Sequence, residues 1–171
     1  MARKQIVVKV LLVVFLLMLI SGLFGFNSAN RIFRDQEILT FSDPAGDQLL
    51  ATYLSGSQPY GVLLLEGFGS DQIALRPAAS VFLNAGAHVF SFDFSGHGRS
   101  PGALSFDNAA TDRLAQQVIA AKETFFSLSG RDESQIIYFG HSRGARVAPQ
   151  AAVLDPTPPK ALVLLGTQVN L

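Results

Sequence analysis

One serine, with a glycine two positions before it and another two positions after it, constrains this chain more than any other feature. The segment Gly140-His141-Ser142-Arg143-Gly144 follows the apolar, β-branched and aromatic run Gln135–Phe139, which predicts a buried strand, and a predicted helix follows it. At such a junction the serine occupies a strained bend, and the glycines remove side chains that would collide where strand and helix nearly touch. The helix directs its N–H groups and the positive end of its dipole at the serine, where negative charge develops during acyl transfer. A plain glycine-rich turn is the alternative for an isolated motif, so the surrounding chain decides between them.

The rest of the chain alternates predicted strands with predicted helices. The turn-forming cluster Asp43–Asp47 joins the first two strands as a hairpin, and from Tyr60 onward the order is β-α-β-α-β-α-β. Right-handed crossovers then give an α/β fold with a doubly wound, mostly parallel sheet. The predicted strands are Glu37–Ser42, Gln48–Ser55, Tyr60–Leu65, Ala87–Phe92, Gln135–Phe139 and Lys160–Gly166, and the predicted helices are Ile73–Ala85, Phe106–Leu128 and Ala145 to about Leu154. The apolar face predicted for the long helix consists of Leu114, Val118, Ala121, Phe125 and Leu128.

Three motifs come directly after three of the predicted parallel strands. Leu65-Glu66-Gly67-Phe68-Gly69-Ser70 follows the first, Asp93-Phe94-Ser95-Gly96-His97-Gly98-Arg99-Ser100 follows the second, and the serine motif follows the third. Open α/β sheets place their functional sites at the carboxyl ends of the strands, so we expect all three motifs to meet at one rim.

Together these motifs make residues 37–171 resemble the α/β-hydrolase superfamily. The resemblance implies that Ser142 is the nucleophile and that Gly140 and Gly144 are the glycines of its tight turn. It also implies an oxyanion hole formed by two backbone N–H groups, those of Phe68 and Arg143. The second motif is similar to the D-x-x-G-H-G-x-S loop of many esterases, lipases and peptidases, in which it is mainly structural.

Glu66 departs from the family pattern, because many members carry a histidine at this position. Its carboxylate would either brace the loop or, if it points inward, repel a developing oxyanion, and a solvated loop residue is the third interpretation. Among the histidines, His88 lies in a predicted strand and is expected to pack in the core, whereas His97 and His141 belong to the motifs.

The residues that would transfer protons are expected to follow the serine, first an acid and then a histidine. No histidine follows Ser142, and the only downstream acid, Asp155, precedes the last predicted strand instead of following a later one. We therefore expect a C-terminally incomplete hydrolase domain that contains the nucleophile and the oxyanion hole but lacks the acid and the base.

The function expected from this interpretation is that of a serine hydrolase of esterase, lipase, thioesterase or peptidase type. It would form an acyl-enzyme on Ser142 with a small-molecule or lipid-like acyl substrate, weakly or not at all without the missing pair. The alternative is a non-catalytic, membrane-tethered module of the same fold that ends at Leu171 and acts by binding.

Composition excludes several other classes of function. The 171 residues carry 13 basic and 13 acidic side chains, so the basic excess of a nucleic-acid-binding surface is missing. The chain has no cysteine, which excludes disulfides and thiolate metal sites. A D-x-x-G sequence also occurs in nucleotide-binding proteins, but no G-x-x-x-x-G-K-[ST] loop accompanies it here. We expect neither a cofactor nor a metal ion, and the sequence leaves the oligomeric state open.

The first thirty residues differ from the rest of the chain. A short basic start leads into the apolar run 6–26, in which Lys9 is the only charged residue. As a helix this run is long enough to cross a bilayer once the Lys9 side chain extends to the interface. The sequence thus predicts a basic flank and membrane anchor over residues 1–30 and an α/β-hydrolase domain over residues 31–171.

The excess of positive charge before the apolar run predicts a cytoplasmic N-terminus and a hydrolase domain on the extracytoplasmic side. The alternative is a signal peptide that is cleaved, followed by secretion of the remainder. Cleavage requires small residues two positions apart, and Gly22, Gly25 and Ala29 each lack a small residue two positions earlier. This favours the uncleaved anchor.

Overall fold

A computed structural model of the chain describes residues 15, 16, 18, 33–105, 109–130 and 132–166. The chain divides into two units, residues 1–35 and residues 36–171. In the first unit Phe15, Leu16 and Met18 are helical and exposed, and the rest of the predicted anchor over residues 6–26 lies outside the described residues. No helix within the described ranges is both long and apolar enough to cross a membrane. The anchor and the domain boundary at residue 30 stay predictions.

The second unit contains one six-stranded sheet. Its strands are β1 (Glu37–Ser42), β2 (Gln48–Leu54), β3 (Gly61–Leu65), β4 (His88–Phe92), β5 (Ile136–His141) and β6 (Ala161–Leu165). They lie in the order β1-β2-β4-β3-β5-β6. β1 and β2 form the predicted antiparallel hairpin, β2 also runs antiparallel to β4, and β4, β3, β5 and β6 run parallel to one another. The predicted α/β fold with a mostly parallel sheet is therefore confirmed.

Three helices connect the parallel strands: α1 (Arg76–Asn84), α2 (Ala109–Ser129) and α3 (Arg143–Leu154). On one side of the sheet, the ring of Phe125 in α2 stacks on Phe90 with 5.4 Å between the ring centroids. Phe90 and Tyr138 both align with Leu63 in the register, so they point to the same face, and Phe139 points to the other. On that other face, the ring of Phe82 in α1 packs edge-on against Phe139 with 5.5 Å between the ring centroids. Helices thus cover both faces of the sheet.

The first predicted helix, Ile73–Ala85, is divided in the structure. A short 3-10 turn, Gln72–Leu75, precedes α1, because the Asp71 side chain accepts hydrogen bonds from the N–H groups of Ile73 and Ala74 and caps this turn separately. Pro77 then lies in the first turn of α1, where a missing N–H breaks no helical hydrogen bond.

Two further details differ from the sequence prediction. Leu128, assigned to the buried face of the long helix, is 37% exposed, because it lies in the last turn of α2. The other four residues of that face are buried as predicted. The predicted start of this helix at Phe106 lies outside the described residues.

The apolar strand β6 forms one edge of the described sheet. Its side chains are mostly exposed, with Val163 at 41% and Leu165 at 56%. An apolar edge with unpaired backbone groups is a template for pairing with another strand.

A buried cluster of ionisable groups connects α2, β5 and the turn after α3. The ammonium group of Lys122, a residue only 1% exposed, donates to Asp155 Oδ1 at 2.7 Å and to the carbonyl oxygen of Thr157 at 2.7 Å, and it lies 3.0 Å from Glu133 Oε2. The Tyr138 hydroxyl donates to Asp155 Oδ2 at 2.8 Å. Burial raises the pKa of Tyr138, and the bond to Asp155 raises it further, so the hydroxyl stays protonated and remains a donor.

We expect Asp155→Asn to lower the free energy of unfolding by about 3 kcal/mol, because it leaves the buried Lys122 ammonium without its buried anionic partner. Urea unfolding followed by circular dichroism measures the change. Glu37→Gln, at an exposed position of β1, is the control and should shift stability by less than about 0.5 kcal/mol. Equal values for the two variants would contradict a strongly coupled cluster.

Candidate active site

Ser142 stands at the turn between β5 and α3 with φ of 51° and ψ of −108°. Within the described ranges it is the one residue other than glycine that has a positive φ. Such a conformation costs about 1–3 kcal/mol and persists only where the surroundings enforce it. Here the Ser142 N–H donates to the carbonyl oxygen of Leu165 at 2.8 Å, which ties the serine to the end of β6. The turn therefore presents a half-buried serine at the carboxyl end of the sheet.

Close approaches of the backbone explain both glycines of this turn. A Cβ atom added to Gly144 would lie 2.6 Å from the carbonyl carbon of Leu65, at the end of β3. One added to Gly140 would lie 2.5 Å from the carbonyl carbon of Gly144. Real Cβ atoms do not approach other atoms so closely. The first turn of α3 thus packs against the end of β3, where the Gly144 N–H also donates to the Glu66 carbonyl oxygen at 2.9 Å.

The loop after β3 runs beside the serine. A Cβ atom added to Gly67 would lie 3.4 Å from Cβ of Ser142 and 3.2 Å from Nδ1 of His141. The exposed Phe68 follows, and the guanidinium carbon of Arg143 lies 4.8 Å from the centroid of its ring. The structure therefore brings Ser142, Phe68 and Arg143 together. The roles of the Phe68 and Arg143 N–H groups as oxyanion donors stay a prediction.

Glu66, which the sequence did not identify as a site residue, is completely buried behind this loop. Its Oε1 accepts from the Phe94 N–H at 3.0 Å and lies 2.8 Å from Nδ1 of His97. Its Oε2 has no hydrogen-bond partner among the described residues. Of the three interpretations of Glu66, the structure supports bracing, and the solvated one is wrong. The sequence did contain one signal that Glu66 is buried, namely that this acid directly follows a wholly apolar strand. Its partner His97, however, is 31 positions away.

Electrostatics shift the pKa of the Glu66 carboxyl toward neutrality. Burial raises the pKa of Glu66 to about 7, although the bonds from His97 and from the Phe94 N–H favour the ionised form. The nearby charge of Asp93 raises the pKa as well. Near pH 7 both the neutral and the charged form of the Glu66 carboxyl are therefore populated. In either form the carboxyl is paired with the His97 imidazole.

The loop after β4 is organised by Asp93. The Asp93 carboxylate accepts from the N–H groups of Gln72 at 2.8 Å and Arg99 at 3.0 Å. The Ser100 hydroxyl donates to the Asp93 carbonyl oxygen at 2.6 Å and accepts from the Leu50 N–H at 2.9 Å. These bonds close the loop and attach it to β2, which is the structural role that the resemblance implies.

The remaining ionisable groups lie in different surroundings. His88 is buried in the core, where its Nδ1 lies 2.7 Å from the Tyr53 hydroxyl, as predicted. His141 is exposed next to Ser142. Asp155 lies between α3 and β6, so it is at the end of the sheet opposite to Ser142 and cannot reach the serine. This position agrees with the expectation that Asp155 is not the catalytic acid.

Comparisons with known proteins give a consistent result. A model of the family described as serine aminopeptidase, S33, matches residues 58–171. The chain is 36% identical over 119 residues to an uncharacterized protein of Mycobacterium tuberculosis, a stretch that covers 70% of this chain and 40% of that protein.

Solved structures share the fold. The esterase Pf2001 of Pyrococcus furiosus superposes with a TM-score of 0.66 at 20% identity, over 75% of this chain and 50% of that one. The α/β hydrolase GrgF of Penicillium sp. sh18 superposes with a TM-score of 0.64 at 24% identity, over 72% of this chain and 43% of that one. The chain thus spans half or less of the length of these relatives.

We expect Gly144→Ala to lower the free energy of unfolding by about 3 kcal/mol or more, because the added methyl group overlaps the backbone of β3 and nothing flexible can move aside. Gly130→Ala is the matched control. Gly130 has a φ of 60° but open space around its Cβ position, so its substitution costs only the roughly 1–2 kcal/mol of left-handed backbone strain. Thermal and urea unfolding of both variants test this, and a smaller loss for Gly144→Ala than for Gly130→Ala would contradict the close approach.

Proposed function

Since the chain belongs to the serine aminopeptidase S33 family of α/β hydrolases, we propose that it is a serine hydrolase whose nucleophile is Ser142. The observation that carries the proposal is the strained backbone of Ser142, held at the carboxyl rim of the sheet directly beside the Gly67–Phe68 loop. A nucleophile at a strand–helix turn of this type occupies a strained backbone position at the rim, and here two close glycine contacts enforce that strain. A plain glycine-rich turn needs no such strained residue.

In this proposal the Ser142 oxygen gives its proton to a general base as it forms a bond to the carbonyl carbon of the substrate. The carbonyl oxygen becomes an oxyanion, which accepts hydrogen bonds from the backbone N–H groups of Phe68 and Arg143. Collapse of this intermediate expels an alcohol or amine, which takes up the proton and leaves an acyl-enzyme. Water then attacks the acyl carbon and releases the acid and the free serine.

We infer a small-molecule ester or a related lipid-like acyl compound as the substrate class. The esterase fold supports this inference. The apolar rings at the rim also support it, because the exposed Phe68 lies beside the serine and offers a surface for an acyl chain.

The general base is proposed to come from outside residues 1–171. No histidine follows Ser142 in the sequence, and the buried His97 is bound to Glu66. Because an oxyanion hole alone retains roughly 10³–10⁴-fold acceleration over water, these 171 residues should react slowly but measurably.

The nucleophile can be tested with a fluorophosphonate probe on the full-length protein. Ser142→Ala should abolish labelling, whereas Ser80→Ala, which removes a serine hydroxyl within α1, should label like the unaltered protein. The 171 residues alone should label at least about 100-fold more slowly than a chain that carries the acid and histidine.

Two outcomes would change the assignment. Labelling that survives Ser142→Ala would show that another residue is the nucleophile. A folded full-length protein that neither labels nor hydrolyses p-nitrophenyl esters would favour the alternative, a membrane-tethered binding module.

We further propose that residues 6–26 anchor the protein in a membrane, with the N-terminus in the cytoplasm and the hydrolase domain on the extracytoplasmic side. The apolar run, which is uncharged after Lys9, supports the anchor, and the basic residues Arg3, Lys4 and Lys9 support this orientation. Secretion after cleavage is the alternative.

The anchor predicts that the protein stays in the membrane pellet after extraction with alkaline carbonate, because a spanning helix is not released by high pH. A chain that begins at residue 31 should be released under the same conditions. Recovery of the protein in the soluble fraction, with a new N-terminus between Gly22 and Ala29, would demonstrate a cleaved signal peptide instead.

A further inference from the structure

The ring of Phe68 lies between two charged or ionisable side chains. Its centroid is 6.0 Å from that of the His97 ring, with the two planes nearly perpendicular at 89°. The guanidinium carbon of Arg143 lies 4.8 Å from the same centroid. Perpendicular rings and a cation near an aromatic ring are both attractive arrangements. The Phe68 side chain is therefore contacted from the loop after β4, through His97, and from the first residue of α3, Arg143.

His97 can hold Phe68 only if its own ring is fixed, and Glu66 fixes it. The imidazole is buried, and its Nδ1 lies 2.8 Å from Glu66 Oε1. Its ring also meets Phe94 edge-on at 6.0 Å, so aromatic rings constrain it on two sides. The same Glu66 oxygen accepts from the Phe94 N–H at 3.0 Å, which ties the start of this loop to the end of β3.

We propose that Glu66 and His97 are positioning residues that set the place of the Phe68 backbone N–H, and with it the oxyanion hole, through the path from Glu66 to His97 to the Phe68 ring. This inference rests on the proposed function of Ser142 and deepens it. Phe68 and Arg143, the two expected oxyanion donors, contact each other through their side chains, so a displacement of Phe68 reaches both of them.

The burial of Glu66 supports a role beyond packing. A carboxyl group that is completely buried, with one oxygen that has no partner in the described part of the chain, is more costly to fold than an apolar side chain of similar size. The two groups bound by its Oε1 are the Phe94 N–H and Nδ1 of His97, the residue whose ring contacts Phe68. The carboxyl therefore connects the loop after β3 to the loop after β4, a connection that a leucine in the same space could not make.

The experiment compares Glu66→Leu with Glu66→Gln in the full-length protein. Leucine removes the polar group, whereas glutamine keeps an oxygen that accepts from the Phe94 N–H and an amide that can hydrogen-bond to His97 Nδ1 in either tautomer. Gln117→Leu is the matched control. Gln117 is as deeply buried. Among the described residues its side chain accepts from the Ser95 N–H at 3.2 Å and donates to Asp43 Oδ2 at 2.7 Å, and it makes no hydrogen bond to His97 or Phe68.

The first measurement is amide hydrogen exchange of the peptide that covers residues 66–70, followed by mass spectrometry. Glu66→Leu should increase exchange of this peptide at least about tenfold, while Glu66→Gln and Gln117→Leu should leave it within about twofold of the unaltered protein. Equal exchange in Glu66→Leu and the unaltered protein would overturn the proposal, whatever the activities.

The second measurement is the hydrolysis of p-nitrophenyl esters. Glu66→Leu should lower kcat by about 10- to 100-fold with KM nearly unchanged, because oxyanion contacts form only in the transition state. Glu66→Gln should restore kcat to within about threefold, and Gln117→Leu should retain it even if its unfolding midpoint falls. If Gln117→Leu and Glu66→Leu lose kcat by the same factor, Glu66 only stabilises the fold and does not position the loop.

The two proposals fail in different ways. If Ser142→Ala retains activity, the nucleophile assignment fails, while the exchange measurement still decides whether Glu66 and His97 hold the loop. If Ser142→Ala is inactive and the exchange of residues 66–70 does not respond to Glu66→Leu, only the positioning role is lost.

Discussion

The contact between the first turn of α3 and the end of β3 is the constraint on which the rest of the site depends. Gly144 approaches the Leu65–Glu66 backbone so closely that no side chain fits, and its N–H donates to the Glu66 carbonyl oxygen. This contact forces the chain to turn within a single residue, and Ser142 takes the strained conformation that results. It also places the loop after β3 beside the serine, so that one packing contact sets both the nucleophile and the expected oxyanion donors.

Buried polar groups serve different purposes at the two ends of the sheet. At the carboxyl end, Glu66 and Asp93 accept hydrogen bonds from backbone N–H groups, Glu66 also pairs with the His97 ring, and their effect is to fix the loops. At the opposite end, Asp155 and Lys122 form an ion pair that joins α2 to the turn after α3. Both arrangements place charge in a medium of low polarity, where each group depends on its partner. The buried polar groups at the carboxyl end of the sheet therefore make the loops rigid, and those at the opposite end attach the helices.

Much of the fold was predictable from the chain because its signals are local. Apolar runs of strand length, glycines and prolines at turns, and the helical spacing of Leu114, Val118, Ala121 and Phe125 gave each element within a few residues. The errors occurred where a single side chain changes the local geometry, as the Asp71 cap does when it separates a 3-10 turn from α1. The partnership between Glu66 and His97 could not be predicted, since it joins residues 31 positions apart in the loops that follow two adjacent parallel strands.

By itself the sequence determined the strand–turn–helix around Ser142, the mostly parallel sheet and the meeting of three motifs at one rim, because right-handed crossovers bring the carboxyl ends of parallel strands together. The tertiary structure alone decided which polar side chains are buried and what they bind. The sequence around Glu66 is also compatible with a solvated acid in a loop. Only the packing of the loop after β4 removes Glu66 from water and places it against His97. The burial of a polar residue in a loop depends on every element that covers it, so the local sequence around Glu66 does not specify it.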